Sequence, residues 1–337
     1  MGGIEQESMI EQKCIKLLER AIDYPASDMH LLPRKEHYQL MYRKYGCFQQ
    51  VEQIPSELAH RMISYYKFLS SLDISEKRKP QSGAFQQNFH DYDYAFRVST
   101  LPSAYQKESL AIRVLRQNYT LPMDALCHFS QSATQLNELL QQQSGLILVS
   151  GPTGSGKTTT LYSLVHHCAS VLNRHVISLE DPVESTQPEV LQIQVNEKAG
   201  ITYASGLKAI LRHSPEVIMI GEIRDKETAQ IAVESALTGH LVISTIHAKD
   251  SVNCLFRLHD LSISYEEMRQ TLSAVIAQTL IDHEGSYKAI FEVLHQHELT
   301  TALEATRSNL NYSIPLNHTL EGQINRLRGG AYEPTTI

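Results

Sequence analysis

From about residue 133 onward the chain alternates short, uninterrupted apolar runs with segments of helical spacing. The runs are LILVS (146–150), VISLE (176–180), VIMIG (217–221) and LVISTI (241–246). A strand that is apolar at every position has both faces covered, so runs of this kind separated by helices predict a parallel sheet packed between helical layers. Helices are expected over residues 157–172, 203–212 and 226–237, and Gly239 follows the last of them, where helices commonly stop. The first 110 residues follow another pattern. YQLMYR (38–43) and YDYAFRV (92–98) alternate apolar and polar positions, which is the period of half-buried strands. Between them, SELAHRMISYYKFL (56–69) has apolar residues at helical spacing behind Ser56 and Glu57, and so predicts an amphipathic helix with a serine start. The pattern therefore gives an α/β chain: a small α+β domain over 1–110, a linker over 111–132, and a larger α/β domain over 133–337. The glutamines at 141–143 are expected to end a helix before the first apolar strand. The tail beyond Thr301 is weakly patterned, and no function is placed on it.

Composition narrows the class. A chain of 337 residues can build two cores without disulfides or metals. Its 42% hydrophobic and 20% charged residues exclude a disordered or fibrous description. The absence of a long apolar run and the polar, acidic start MGGIEQESMIEQK lead to the expectation of a cytoplasmic protein. Cys14, Cys47, Cys127, Cys168 and Cys254 lie far apart without a CxxC pair, against a zinc ribbon or a disulfide framework. A net charge of −7 lacks the basic footprint of a nucleic-acid binder, so no direct nucleic-acid partner is expected.

The chemistry is concentrated in the larger domain. Gly151-Pro-Thr153-Gly154-Ser155-Gly156-Lys157-Thr158, followed by Thr159, fits G-x-x-x-x-G-K-[ST] and lies between an apolar strand and a helix, the context that makes the pattern a phosphate loop. Gly154 and Gly156 would let backbone amides converge on phosphate oxygens at a helix N-terminus. Lys157 would reach the β- and γ-phosphates, with the Thr158 hydroxyl in the shell of a Mg²⁺ ion. Acidic residues at strand ends are the partners such a loop needs. Glu222 follows VIMIG; Glu180, Asp181 and Glu184 cluster after VISLE. Both positions fall on the carboxyl edge of the sheet, where open α/β sheets bind ligands. Glu222 and Glu180 both stand as candidate general bases, and Asp181 and Glu222 as candidate magnesium residues. His247, after LVISTI, is a candidate γ-phosphate sensor. His166-His167-Cys168 occupy consecutive helical positions that face different ways and are not a ligand set. No [NT]KxD tetrad reads guanine, which leaves ATP-driven motors.

These residues resemble a known family. GPTGSGKTTTLY (151–162), SLEDPVE (178–184), LRHSPEVIMIGEIRD (211–225) and LTGHLVISTIHA (237–248) are similar, in order and spacing, to the Walker A, Asp box, Walker B and His box segments of the secretion and type IV pilus ATPases. In the first half, ASDMHLLP (26–33), LDISEKRKPQSG (72–83) and the segments holding Arg97 and Arg113 also resemble that family. The resemblance implies a RecA-like ATPase domain and a PAS-like N-terminal domain whose Arg97 and Arg113 act as arginine fingers. It further implies ATP and Mg²⁺ as ligands, a homohexamer, a location at the inner face of the membrane, and an inner-membrane platform protein as partner, with pilin-like proteins driven indirectly. Ile276–Ile281 runs almost directly into Tyr287–Glu292 without cysteines, and no additional N-terminal domain is expected. That compact form without zinc is most similar to the branch that powers competence in Gram-positive bacteria. A RecA-like DNA translocase is the rival from another class.

Overall fold

The computed structural model describes residues 2–104, 106–283, 286–308 and 310–328. The chain divides into two compact units, Met1–Asn118 and Tyr119–Ile337.

In the first unit, helix α1 (Gly2–Asp23) precedes β1 (Asp28–Pro33), β2 (His37–Lys44) and β3 (Cys47–Pro55). Helix α2 (Ser56–Leu69), β4 (Gln81–Phe89), β5 (Tyr92–Pro102) and β6 (Glu108–Arg116) complete it. The strands form one antiparallel sheet in the order β3-β2-β1-β6-β5-β4. Alternation along β2 sends Tyr38, Leu40 and Tyr42 into a core with Cys14, Leu17 and Leu18 of α1 and Ala59, Met62 and Tyr66 of α2. The period-2 and helical patterns thus meet on one face of the sheet.

Two expectations are corrected here. Residues 111–116 are not linker: alternate positions of β6, Leu110 and Ile112, are buried in the N-terminal core, so the strand continues to Arg116. Nor does Ser56 cap α2. Pro55 holds the cap position with φ −54°, and the Ser56 hydroxyl instead donates to the Glu36 carbonyl at 2.9 Å.

The second unit opens with α3 (Met123–Leu126) and α4 (Ser130–Leu140), which ends at Gln141. There follow β7 (Gly145–Ser150), α5 (Lys157–His166), β8 (Val176–Glu180), β9 (Leu191–Gln194), α6 (Tyr203–Ile210), β10 (Val217–Ile223), α7 (Lys226–Leu237) and β11 (Leu241–Ile246). Helices α8 (Ser251–Asp260) and α9 (Tyr265–Thr271), strands β12 (Leu272–His283) and β13 (Ser286–His295), and helices α10 (Gln296–Arg307) and α11 (Leu320–Leu327) close the unit. The weakly patterned tail therefore holds two helices. The expected helix over 157–172 changes character after His166 and continues as a wider π turn over His167–Val171.

The sheet order is β13-β12-β7-β11-β10-β8-β9, parallel except for β13. Successive residues of its central strands enter opposite cores. Leu146, Leu148, Ile218, Ile220 and Val242 join one, and Ile147, Val149, Val217, Met219 and Ile243 the other. That explains the continuous apolar runs. Among the described residues no helix is long and apolar enough to cross a membrane.

One buried charge pair sits in the first unit. Lys67 Nζ, at the end of α2, donates to Glu108 Oε1 at 2.8 Å and to the Glu76 carbonyl at 2.7 Å, and both side chains are almost wholly buried. Removing one partner leaves the other charge in the interior. Lys67→Met is expected to destabilise this unit by about 3–5 kcal/mol, read by urea denaturation followed by circular dichroism. A loss under about 1 kcal/mol would mean that the pair does not anchor the fold.

Candidate nucleotide-binding site

Strand β7 lies between β12 and β11. Its last residue, Ser150, hands the chain to the loop 151–156, which turns into α5 at Lys157. The cap residue of α5 is Gly156 at φ +84°, in the left-handed region that glycine tolerates, and no side chain caps the helix. The first-turn amides are thus available to an anion, and the helix dipole favours one there. Thr153, Gly154 and Thr158 are exposed, Thr159 is half-buried and Ser155 is buried. Lys157 Nζ reaches back over the loop, donating to the carbonyls of Gly151 at 2.8 Å and Pro152 at 2.9 Å. Burial lowers the lysine's pKa, and the nearby Glu222 carboxylate opposes that shift. The first and third of the four motif segments are therefore within electrostatic reach of each other.

Glu222 lies near the carboxyl end of β10. One carboxylate oxygen pairs with Arg224. The other, Oε2, is buried without a hydrogen-bond partner and lies 3.2 Å from His247 Nε2, a distance for an ion pair only when that imidazole is protonated. Arg224 is in turn pulled up in pKa, chiefly by its hydrogen bond to Glu222, with smaller contributions from Tyr203 and Asp181. Tyr203, at the start of α6, brings its hydroxyl within 3.3 Å of where a side chain on Gly221 would begin.

Glu180, at the end of β8, has a different environment. It is buried and accepts from Tyr162 Oη at 2.5 Å, Ser178 Oγ at 2.6 Å and Gln192 Nε2 at 3.0 Å. Tyr162 Oη also accepts from the backbone amides of Glu184 at 3.1 Å and Ser185 at 3.3 Å, so Glu180 anchors the segment that follows it. Asp181 is exposed.

The remaining candidates separate clearly. His247 joins Glu222, whereas His240, before β11, bonds to the Ser235 carbonyl at 3.0 Å at the end of α7. His166, His167 and Cys168 form no ligand set; burial pushes the Cys168 thiol up to about 12. Arg97 and Arg113 belong to the other unit, where they stand directly opposite each other on β5 and β6. Arg113 Nε donates to Asp28 Oδ1 at 3.0 Å. A cavity of about 620 Å³ elsewhere in the second unit, lined by Phe129, His295, His318 and Arg326, contains none of the expected site residues.

Sequence reading passed over Tyr162, Tyr203, Arg224 and Asp28. Arg224 and Asp28 lie inside segments already singled out, GEIRD and ASDMH. The tyrosines carried no signal, since aromatic residues in helices usually read as core.

The donor set suits magnesium. Carboxylate and hydroxyl oxygens are hard ligands, and Glu222 Oε2 is a buried acceptor without a hydrogen-bond partner. Magnesium keeps waters and substrate phosphates in its shell, so one or two protein carboxylates are enough. Among the described residues no group of three or more His, Cys, Asp or Glu side chains could hold a metal ion without such help.

A glycine loop delivered by a central parallel strand to an uncapped helix, with acids at the ends of β10 and β8 on the same sheet edge, defines a P-loop nucleotide-binding domain. The chain matches the model of the Type II/IV secretion system protein family over residues 4–309, and it belongs to that family. It is 45% identical over 274 residues to the competence protein ComGA of Bacillus subtilis, covering 81% of this chain and 76% of that protein. Identity to the competence protein ComGA of Halalkalibacterium halodurans is 39% over 321 residues, covering 90% of this chain and 92% of the relative. The type II secretion system protein E of Dickeya dadantii is 40% identical over 278 residues, but the match spans only 55% of its length. Among solved structures, the Legionella pneumophila ATPase DotB superimposes with a TM-score of 0.72 at 21% identity, over 93% of this chain and 90% of that one, a likeness of fold. The pilus retraction motor PilT with bound ADP gives 0.65 at 26% identity, over 87% and 85%.

The Tyr162 anchor has a measurable consequence. Tyr162→Phe leaves a buried carboxylate and two backbone amides without that hydroxyl, and is expected to cost about 1–3 kcal/mol of stability. Urea denaturation tests this; an unchanged unfolding midpoint would mean that the hydroxyl is dispensable to the segment after β8.

Proposed function

We propose that this protein is a hexameric, magnesium-dependent motor ATPase that works at the inner face of the cell membrane and powers assembly of a pseudopilus for DNA uptake. The observation that carries the reading is the glycine loop between β7 and the open start of α5, with Glu222 at the end of β10 within electrostatic reach of the loop lysine, in a member of this family. The competence assignment is favoured by coverage: the match extends over 92% of one ComGA relative and 55% of a type II secretion protein E. The acidic net charge of −7 speaks against the DNA translocase reading.

In this reading the loop amides and Lys157 bind the β- and γ-phosphates of ATP, and Thr158, Glu222 and Asp181 hold Mg²⁺ with bridging waters. Magnesium would neutralise charge on the phosphate oxygens. Glu222 orients and deprotonates the attacking water, since its Oε2 is an acceptor without a hydrogen-bond partner while all three donors around Glu180 already engage that residue. Glu180 is then a positioning residue. His247, beside Glu222, relays the presence of the γ-phosphate. Arg97 and Arg113 supply charge to the transferring phosphoryl group; two arginines directly across a ladder repel, and a shared anion relieves that repulsion. A platform protein in the membrane would receive the motion, and pilin-like subunits would be its indirect cargo.

Phosphate release tests the chemistry. Wild-type protein should hydrolyse ATP, Lys157→Ala should neither bind nor hydrolyse it, and Glu222→Gln should bind ATP within about threefold of wild type while kcat falls by roughly 10²–10⁴. If Glu222→Gln turns over normally, the base lies elsewhere. Loss of DNA uptake in a strain lacking the protein tests the biological assignment, and normal transformation there would overturn it.

The fingers make a separate prediction. Arg97→Ala and Arg113→Ala should each lower kcat by roughly 10³-fold or more with ATP affinity nearly unchanged. Unchanged kcat with a lowered melting temperature would mean that both arginines serve only their own sheet.

A further inference from the structure

The ladder between β7 and β12 ends at Ser150 and Ala277. The next residue on each strand is Gly151, where the chain leaves the sheet for the loop, and Gln278. Gln278 is fully buried, and its backbone is held in register by β13 opposite Phe291. Its Nε2 donates to the Ser155 carbonyl at 2.6 Å. Because a carbonyl can only accept, the amide orientation is fixed by its partner. Both ends of the loop close on this side chain and its backbone. A Cβ on Gly151 would meet the Gln278 carbonyl oxygen at 2.5 Å, and one on Gly156 would meet Gln278 Nε2 at 3.2 Å. At Gly154 a Cβ would meet nothing within 4 Å.

A trans peptide is planar, with its C=O and the following N–H pointing in opposite directions. Fixing the Ser155 carbonyl on Gln278 therefore turns the Gly156 N–H away from β12. We propose that Gln278 is a positioning residue of the phosphate loop: its carboxamide sets the Ser155–Gly156 peptide so that the Gly156 amide faces a nucleotide phosphate. Packing alone does not account for a glutamine here. Gln278 Oε1 is buried without a hydrogen-bond partner, a cost that methionine or leucine of similar size would avoid. The donor, not the volume, is what the loop uses. This inference rests on the reading of the loop as an ATP site.

Two variants of the full chain separate donor from shape. Gln278→Met keeps the length and removes the donor. Gln278→Glu keeps the shape and offers an O–H to the Ser155 carbonyl only while the buried carboxyl is protonated, and burial raises its pKa. Dissociation constants for a fluorescent ATP analogue would be measured from about pH 5.5 to 8.5, alongside thermal melts. Gln278→Met should weaken binding about tenfold, the factor one hydrogen bond is worth, with its melting temperature kept. For Gln278→Glu, the affinity ratio to wild type should approach one at the acid end and fall as pH rises. A methionine variant within about twofold of wild type, or a glutamate ratio that does not change with pH, would overturn the proposal. Should the methionine variant not fold, the glutamate ratio decides. If wild-type protein itself binds no ATP analogue, the ATP reading fails and takes this inference with it; if wild type binds and the variants bind equally, only this inference fails.

Discussion

Backbone amides can bind an anion only if nothing else has already claimed them, and the start of α5, at the end of the glycine loop, meets that requirement. Helices α6, α7, α8, α9 and α11 each begin with a side chain that accepts a first-turn amide: Thr202, Asp225, Asp250, Ser264 and Thr319. Helix α5 begins with Gly156, which has no side chain to offer. The helix is stabilised instead by burial of Leu161, Leu164 and Val165 against the sheet core. A fully buried apolar side chain contributes roughly 1.5–3 kcal/mol, more than a cap typically gives. The start of α5 can therefore be left open without loss of the helix.

An open, electropositive helix start next to a sheet edge attracts carboxylates, and their environments decide their roles. Glu180 and Glu222 come from neighbouring parallel strands, β8 and β10, and would look equivalent from position alone. Glu180 is enclosed by Tyr162, Ser178 and Gln192, neutral donors that leave little of its accepting capacity free. Glu222 instead pairs with Arg224, lies beside His247 and is within electrostatic reach of Lys157. A charged neighbour can exchange a carboxylate for another anion. Neutral hydrogen bonds from buried partners fix it in place. The same side chain thus meets neutral hydrogen-bond donors on one strand and charged neighbours on the next.

Which of these features could be read in the sequence follows from how local their causes are. The strand runs at 176–180 and 241–246 and the helix at 226–237 are set by local apolar pattern, and their bounds agree with the structure. The phosphate loop is likewise legible, because its glycines and lysine lie within eight consecutive positions. The linker is misplaced because one side of β6 is completed by a partner far away in the chain, β1, which pairs Asp28 with Arg113. The different surroundings of Glu180 and Glu222 were not legible either, since they depend on Tyr162, eighteen residues before Glu180 in the chain. Gln278, 123 residues from Ser155, is the extreme case. A glutamine in an apolar strand carries no periodic signal, and only the register of β12 against β7 places it under the loop.

The first unit contains two ion pairs whose surroundings suit opposite purposes. Lys67 and Glu108 are buried at 1% and 6% side-chain exposure, so neither can leave the other without stranding a charge. The Arg113 side chain is 47% exposed and pairs with Asp28 through one guanidinium nitrogen. Asp28 is itself buried, with 11% side-chain exposure, and also accepts from the Ser27 hydroxyl, so the carboxylate is held while the guanidinium faces outward. Asp28 thus keeps Arg113 aligned opposite Arg97. The buried pair holds the sheet that carries both arginines, and the Asp28 pair fixes where one of them stands.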